Sequence, residues 1–344
     1  MLYSLDEICL IPAAVTCIKH RSEINVQYED NTLPIFNAPM SCIIDENNYK
    51  TFKNHNINTI IPRTVPWKER VKYITGGIWT AIGLSEAKYL LDNMIITNTV
   101  HICIDQANGH MHDLLSICKK LKDKHGNKIQ IMTGNIANPI TYYKYAEVGI
   151  DYVRCGIGGG SRCTTSVQTG IHYPMASLIA GCNIFKQHIQ ESIRDYGNEY
   201  YKSVPKIIAD GGINHIDHIV KALALGADYV MLGKMFAKTD EAAGEIIEIN
   251  SNNKYREYFG MSTEKAQVLV NAAARTPNDN FIAKHSEGVG VEIKVDTKLD
   301  DLIYDITHAL KSCMSYCNKT NINEFIGNVE YEVMSNASFA AYIK

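Results

Sequence analysis

The run Cys155-Gly156-Ile157-Gly158-Gly159-Gly160-Ser161-Arg162-Cys163-Thr164-Thr165 gathers the types that chemistry needs into one loop. Glycine admits positive φ and lets a ligand approach the backbone, so amides and carbonyls can cradle an anion or a cation. A cysteine at the end of such a loop, here Cys163, is a candidate nucleophile. A free thiol, with a pKa of about 8.5, is only a few per cent thiolate at neutral pH, so it needs activation. Loop amides and Arg162 are candidates to stabilise the thiolate. Thr165 can relay a proton if a carboxylate orients it, and Glu287, within Lys284-His285-Ser286-Glu287-Gly288, is the carboxylate we single out. Asp105 is a second acidic candidate. His172 and His285 are possible bases, although an isolated histidine is more often structural.

Two further loops suit phosphate: Ile208-Ala209-Asp210-Gly211-Gly212 and Met231-Leu232-Gly233-Lys234. Each ends a short apolar run, where backbone N–H groups converge on the start of a following helix. Asp210 would repel phosphate and is better placed to accept from a ribose hydroxyl pair.

These loops need a scaffold. Strand candidates recur at 33–40, 58–62, 78–84, 100–106, 129–135, 152–158, 205–211 and 229–234, with helical spacing between most of them. In 214–226, Ile216, Ile219, Val220 and Leu223 mark one face, Asn214 is a candidate N-cap and Gly226 a terminator. Eight β/α repeats of this kind predict an α/β fold, a closed (β/α)₈ barrel, whose active site lies at the C-terminal ends of the strands. Met40-Ser41, Asp105, Asn108-Gly109, Asn135, the Gly158–Cys163 loop, Asp210–Gly212 and Gly233-Lys234 all fall at that edge. The expected organisation is a single catalytic domain over 1–344. Its barrel core is at about 30–250, and a mobile flap at about 251–298 lies over the mouth. A C-terminal helix and tail fill 299–344, the helix carrying Leu299, Leu302, Ile303, Ile306 and Leu310 on one face.

Composition narrows the partners. The 344 residues are 46% hydrophobic and 21% charged, with a net charge of −3. That balance gives no general attraction to nucleic acid or anionic membrane. No segment approaches the roughly 20 apolar residues of a membrane span, and the N-terminus lacks a signal-peptide pattern. Ten scattered cysteines without a Cys-x-x-Cys predict a reducing, cytoplasmic setting rather than a disulfide scaffold. Cys313 and Cys317 read as packing residues one helical turn apart.

Gly158–Thr165, Asp210-Gly211-Gly212 and Met231-Leu232-Gly233, in that order, resemble the IMP dehydrogenase/GMP reductase barrels. Supporting matches are Asp6–Pro12, Arg21-Ser22-Glu23, Ala38-Pro39-Met40 and Asp105–Gly109, so the likeness runs from about residue 3 to about residue 335. No CBS insertion is present, the Arg-Tyr pair of dehydrogenase flaps does not occur, and Ser286-Glu287-Gly288 is similar to the reductase signature. The resemblance to the reductase branch, in its bacterial form, implies NADPH-dependent reductive deamination of GMP to IMP and ammonia through a cysteine thioimidate.

It further implies roles by position. Cys163, Thr165 and Glu287 would be catalytic. Ser161, Gly212 and Gly233 would hold the phosphate and Asp210 the ribose, while Met261, Ser262 and Glu287-Gly288 would meet the base; Gly211, Lys234, Gly260 and Lys284 would complete the substrate site. Asp105, Ser312 and Ser315 would serve the cofactor, and the carbonyls of Gly158, Gly160 and Cys163 would hold K⁺. A homotetramer is implied as well. Lys234 and Ser166 depart from the family pattern. The alternatives left open are a CBS-less, NAD⁺-dependent IMP dehydrogenase, a reductase of another 2-aminopurine (deoxy)nucleotide, and a purine-nucleotide-binding barrel without catalysis.

Overall fold

Short aliphatic runs become the strands. In the computed structural model, which describes residues 1–197, 200–250, 253–335, 338 and 340, a short strand β1 (Ile8–Leu10) precedes the barrel. There follow β2 (Ile35–Asn37), β3 (Thr80–Ile82), β4 (Val100–Asp105), β5 (Ile129–Ile136), β6 (Tyr152–Cys155), β7 (Lys206–Asp210) and β8 (Tyr229–Leu232). These seven form one sheet in the order β2-β8-β7-β6-β5-β4-β3, every pair parallel.

The expected strand at 58–62 closes the circle, but not as a regular strand. Isolated parallel bridges join Phe36 to Asn58 and Ile61 to Thr80, so this segment spans from β2 to β3. Asn37 supplies the reason. Its buried side chain accepts from the Ile60 N–H at 2.7 Å and donates to the Ile60 carbonyl at 3.1 Å. The side-chain amide thus replaces the ladder bonds that a strand would make there. The (β/α)₈ barrel therefore has seven regular strands and one stave held partly by a side chain.

Alternation along the strands separates a packed end from a chemical end. Tyr152 and Tyr229 open β6 and β8 and meet Phe36 and Trp79 in a ring cluster, with centroids 4.9 Å apart for Phe36–Tyr229 and 5.0 Å for Trp79–Tyr152. One alternation further on, Arg154 of β6 faces Cys103 and Asp105 of β4. Aromatic rings fill the end where the strands start, and charged groups occupy the end where they stop.

Several expectations are corrected. The helix Ile216–Ala224 begins after His215, which holds the N-cap position without a side-chain bond, and Asn214 does not cap it. Gly226 does follow its end, at φ +117°. The end of the expected barrel core and the expected flap contain a sheet: β9 (Ile246–Asn250), β10 (Asn253–Tyr258) and β11 (Val291–Val295) pair antiparallel in the order β11-β10-β9. Residues 251 and 252 lie outside the described residues. A helix, Glu264–Ala273, sits between β10 and β11, its N-cap Thr263 accepting from the Ala266 N–H. Arg256 of β10 is buried and donates to the carbonyls of Ala237 and Thr239, both at 2.8 Å, which ties this sheet to the chain just after β8.

The C-terminal helix, Leu299–Tyr316, buries Leu299, Leu302, Ile306, Leu310 and Met314 against the helix Ile216–Ala224, and Ile303 is only part-buried. Beyond it β12 (Tyr331–Val333) pairs antiparallel with β1, joining the two ends of the chain. The expected tail runs in part through residues 336, 337, 339 and 341–344, outside the described residues. Among the described residues no helix is long and apolar enough to cross a membrane.

Candidate active site

The glycine loop leaves β6 and turns over the ends of β6 and β7. Gly156 has φ +136°, and a Cβ there would stand 2.1 Å from the Asp210 carbonyl oxygen. Gly158, at φ +76°, lies against Ser166 of the short helix Thr165–Thr169, where an added Cβ would come within 2.8 Å of the serine Cβ. Only glycine fits either place. Gly159 and Gly160 serve by close approach instead, with Gly211 and Gly212 packed against them backbone to backbone. The folded loop ends with the Cys163 N–H donating to the Gly160 carbonyl at 2.9 Å.

The sheet over the mouth delivers the carboxylate. Segment 287–289 pairs with the cysteine loop: Thr164 N–H donates to the Glu287 carbonyl at 2.9 Å and Val289 N–H to the Arg162 carbonyl at 3.1 Å. Gly288 is buried between Arg162 and Ser262, and a Cβ on it would lie 2.9 Å from Ser262 Oγ. This pairing places three side chains in series. Cys163 Sγ donates to Thr165 Oγ1 at 3.1 Å, and that hydroxyl donates to Glu287 Oε2 at 2.5 Å. The three residues singled out for nucleophile and proton transfer are therefore in direct contact, 122 positions apart in sequence at the last step. A proton can pass from thiol to hydroxyl to carboxylate, which is how a weak nucleophile is activated.

Beside this triad lies a pocket lined by Ala38, Met40, Gly160, Ser161, Asp210, Gly211, Gly212, Ile213, Asn214, Met231, Gly233, Lys234 and Tyr258. Both loops expected to take phosphate border it. Ser161 Oγ is buried and makes no hydrogen bond, a vacant polar contact of the kind a ligand satisfies. Lys234 is the one cationic side chain of the lining and makes no salt bridge among the described residues. Gly233 must be small, since a Cβ would stand 2.9 Å from the Tyr258 hydroxyl. Burial pushes that phenol up to about 12, with the nearby Arg162 charge opposing the rise. Tyr258 was not among the expected site residues; its place is visible only once β10 crosses the mouth.

A second unexpected residue organises the carboxylates. Arg154 is buried and bridges Asp105, Nη1 to Oδ1 at 2.6 Å, and Asp210, Nη2 to Oδ2 at 2.8 Å. Asn135 also donates to Asp210 Oδ2, at 2.7 Å. Among the described residues nothing donates to Asp210 Oδ1, so one oxygen of that carboxylate is left for a ligand hydroxyl. Burial raises the Asp105 carboxyl, but the guanidinia of Arg154 and Arg63 outweigh it and hold it below the usual range. The sequence signal was an arginine inside the apolar strand Tyr152-Val153-Arg154-Cys155, because a buried charge requires partners.

Other expected residues make no side-chain hydrogen bond to the triad among the described residues. Met261 packs partly buried, and Gly260 and Ser262 flank it; the Ser262 carbonyl accepts from Gln267 at 3.0 Å. Lys284 is exposed and its backbone pairs with Gln267. Ser312 and Ser315 lie on the C-terminal helix, where Ser315 Oγ donates to the Ser312 carbonyl and the Ser315 carbonyl accepts from Thr16. No described bond joins them to the triad. Arg162, expected to assist the thiolate, makes no bond to Cys163, and its Nε is buried without a partner. His172 and His285 are exposed. Of the carbonyls expected at a K⁺ site, that of Gly158 accepts from Ser166 Oγ at 3.3 Å and that of Gly160 from the Cys163 N–H. The donor set is all oxygen, which suits a hard monovalent cation.

Comparison with known proteins agrees with this architecture. The IMP dehydrogenase / GMP reductase domain matches residues 3–341. A GMP reductase of Buchnera aphidicola subsp. Acyrthosiphon pisum (strain Tuc7) is 31% identical over 334 residues, 92% of this chain and 89% of that protein. A GMP reductase of Aliivibrio fischeri (strain MJ11) is 28% identical over 303 residues, 85% of this chain and 80% of that protein. An inosine-5'-monophosphate dehydrogenase of Chlorobaculum parvum is 31% identical over 265 residues, 76% of this chain but 50% of that protein. The chain thus spans about half the length of the dehydrogenase relatives and most of the length of the reductases. With the domain match running over nearly the whole chain, on a barrel that carries the cysteine loop and the two glycine loops, the chain belongs to the IMP dehydrogenase / GMP reductase family.

Proposed function

We propose that this protein is a GMP reductase, which converts GMP to IMP and ammonia at the expense of NADPH. The observation that carries the reading is the continuous Cys163–Thr165–Glu287 chain beside a pocket whose Ser161 hydroxyl and Lys234 ammonium have no hydrogen-bond or salt-bridge partner among the described residues. In this reading Ser161, Gly211, Gly212, Gly233 and Lys234 hold the 5′-phosphate, and Asp210 Oδ1 accepts from the ribose.

Cys163 gives its proton through Thr165 to Glu287 and attacks C2 of the guanine ring. The same proton returns to the 2-amino group, the C2–N bond breaks, and ammonia leaves a thioimidate on Cys163. A reduced nicotinamide, when bound, supplies the hydride that takes the place of the amine at C2. Breaking the C2–S bond then releases IMP and restores the thiolate. Splitting the displacement in this way suits a ring amine, which leaves poorly from an aromatic carbon. The buried, unpartnered Nε of Arg63 near Asp105 offers a donor to a polar group at that edge, which fits the carboxamide of a nicotinamide. Gly158, Gly160 and Cys163 would hold K⁺ through their carbonyls. Ser312 and Ser315, which lack a bond to the triad, would meet the cofactor across a contact between copies of the implied homotetramer.

The dehydrogenase relatives favour a second reading, oxidation of IMP with NAD⁺ on the same Cys163. One experiment separates the two: purified protein with K⁺ is given GMP and NADPH, or IMP and NAD⁺, with Cys163→Ala as control. The reductase reading expects NADPH loss matched by IMP and ammonia and abolished in the variant. Turnover of IMP with NAD⁺ alone overturns it.

A further inference from the structure

The loop 211–214 borders the phosphate side of the pocket, and it is held from behind by a buried ring. His218 lies on the helix Ile216–Ala224, its side chain 3% exposed. Nδ1 sits 3.0 Å from the Gly212 carbonyl oxygen, and the Asn214 N–H points to the same nitrogen at 3.3 Å. On the other side, Nε2 stands 2.7 Å from Asp6 Oδ1. A nitrogen that close to a carboxylate carries the proton. The opposite nitrogen then accepts from Asn214 or, if protonated too, donates to Gly212. In either state one ring connects Asp6 to the loop.

The same helix is fastened a second time to the N-terminal segment, since Lys221 Nζ donates to the Leu5 carbonyl at 3.0 Å. Asp217 pairs with Lys221, and the His215 ring lies 5.2 Å from that of His218. Asp6 begins one of the sequence matches noted above, yet it is 212 positions from His218 and contacts nothing in the pocket itself.

We propose that Asp6 and His218 are positioning residues for phosphate: they fix Gly212 and Asn214 so that this loop's backbone faces the anion. Gly211 and Gly212, both at positive φ, have little intrinsic stiffness, so the rigidity must come from outside the loop. An anion site made of backbone amides acts only if the amides are already aimed. Neither residue lines the pocket, so the pair acts on a ligand only through this loop. Its loss should therefore weaken recognition of the phosphate and leave recognition of the purine alone.

This inference rests on assigning the pocket to a 5′-phosphate, and its test does not need turnover. Affinities for GMP, guanosine and inorganic phosphate are measured by calorimetry on the full chain, for the wild type, His218→Gln and Asp6→Asn. Losing a hydrogen bond behind the loop should weaken GMP and inorganic phosphate about tenfold in both variants and leave guanosine unchanged. Glutamine at 218 can still reach Asp6 but not the loop, whereas Asp6→Asn keeps the ring and loosens its anchor. Asp6 is half exposed, so its variant tests the idea even if His218→Gln fails to fold. Equal weakening of GMP and guanosine, or no weakening of phosphate, overturns the proposal. If the wild type binds inorganic phosphate but not GMP, the purine reading fails and the phosphate arm still decides the tether.

Discussion

Glu287→Gln tests the proton chain with the least disturbance to shape. The wild-type carboxylate takes a 2.5 Å hydrogen bond from Thr165, which in turn stands 3.1 Å from Cys163 Sγ. Glutamine can still accept from the hydroxyl but cannot take up the proton. General acid–base catalysis contributes about 10²–10⁴ in rate, and some transfer through water will remain. We therefore expect kcat to fall about 10²–10³-fold, equivalent to about 3–4 kcal/mol of barrier. The KM for GMP should change less than about threefold, because segment 287–289 is held by main-chain bonds that the substitution leaves in place. Steady-state NADPH consumption gives kcat and KM, and mass spectrometry of quenched enzyme follows the covalent adduct. Thr165→Val should cost a similar factor. If hydroxyl and carboxylate act as one relay, the double variant is no slower than the worse single one. Full kcat in Glu287→Gln, a loss confined to KM, or additive losses in the double variant would refute the relay.

Three further expectations concern the surroundings. Ser161→Ala removes a buried hydroxyl that has no partner in the free protein. Stability in urea should stay within about 0.5 kcal/mol while GMP affinity drops about tenfold; a stability loss with unchanged affinity would show the hydroxyl to be structural. Arg154→Met strips the shared partner from Asp105 and Asp210 and should destabilise by about 3–5 kcal/mol, read from the urea midpoint; a loss below about 1 kcal/mol would mean that the guanidinium holds neither carboxylate firmly. Acid unfolding gives the fourth. Burial raises the carboxyls of Asp105 and Glu86, but Arg154 and Arg63 around the first and Arg70 around the second hold both low. Their contribution is full above the unfolded values of about 4 and is lost as pH falls further through the folded ones. Asp151 acts in the opposite sense, because its burial outweighs Lys122 and raises it. The acid limb of stability against pH should flatten in Arg70→Met, where Glu86 loses its partner, and an unchanged limb would contradict the assignment.

What the sequence determined by itself is local in origin. Strand and helix order follows from periodicity and from glycines at the ends of apolar runs, which are properties of neighbouring residues. The (β/α)₈ architecture followed from that order, and the glycine-rich cysteine loop was legible because Gly156 through Thr165 is one continuous segment. The tertiary structure decided whatever depends on residues far apart meeting. A regular strand at 58–62 was ruled out by Asn37, whose amide reaches Ile60 only in the closed barrel. The flap became a sheet because β9, β10 and β11 are joined by hydrogen bonds between segments up to about forty residues apart, to which local polarity is blind. Glu287 was singled out by residue type, but its contact with Thr165 comes from the main-chain pairing of segment 287–289 with Arg162 and Thr164. Arg154, Tyr258 and His218 gained their meaning in the same way. A buried charge, phenol or imidazole is defined by its partners, and partners are chosen by the fold.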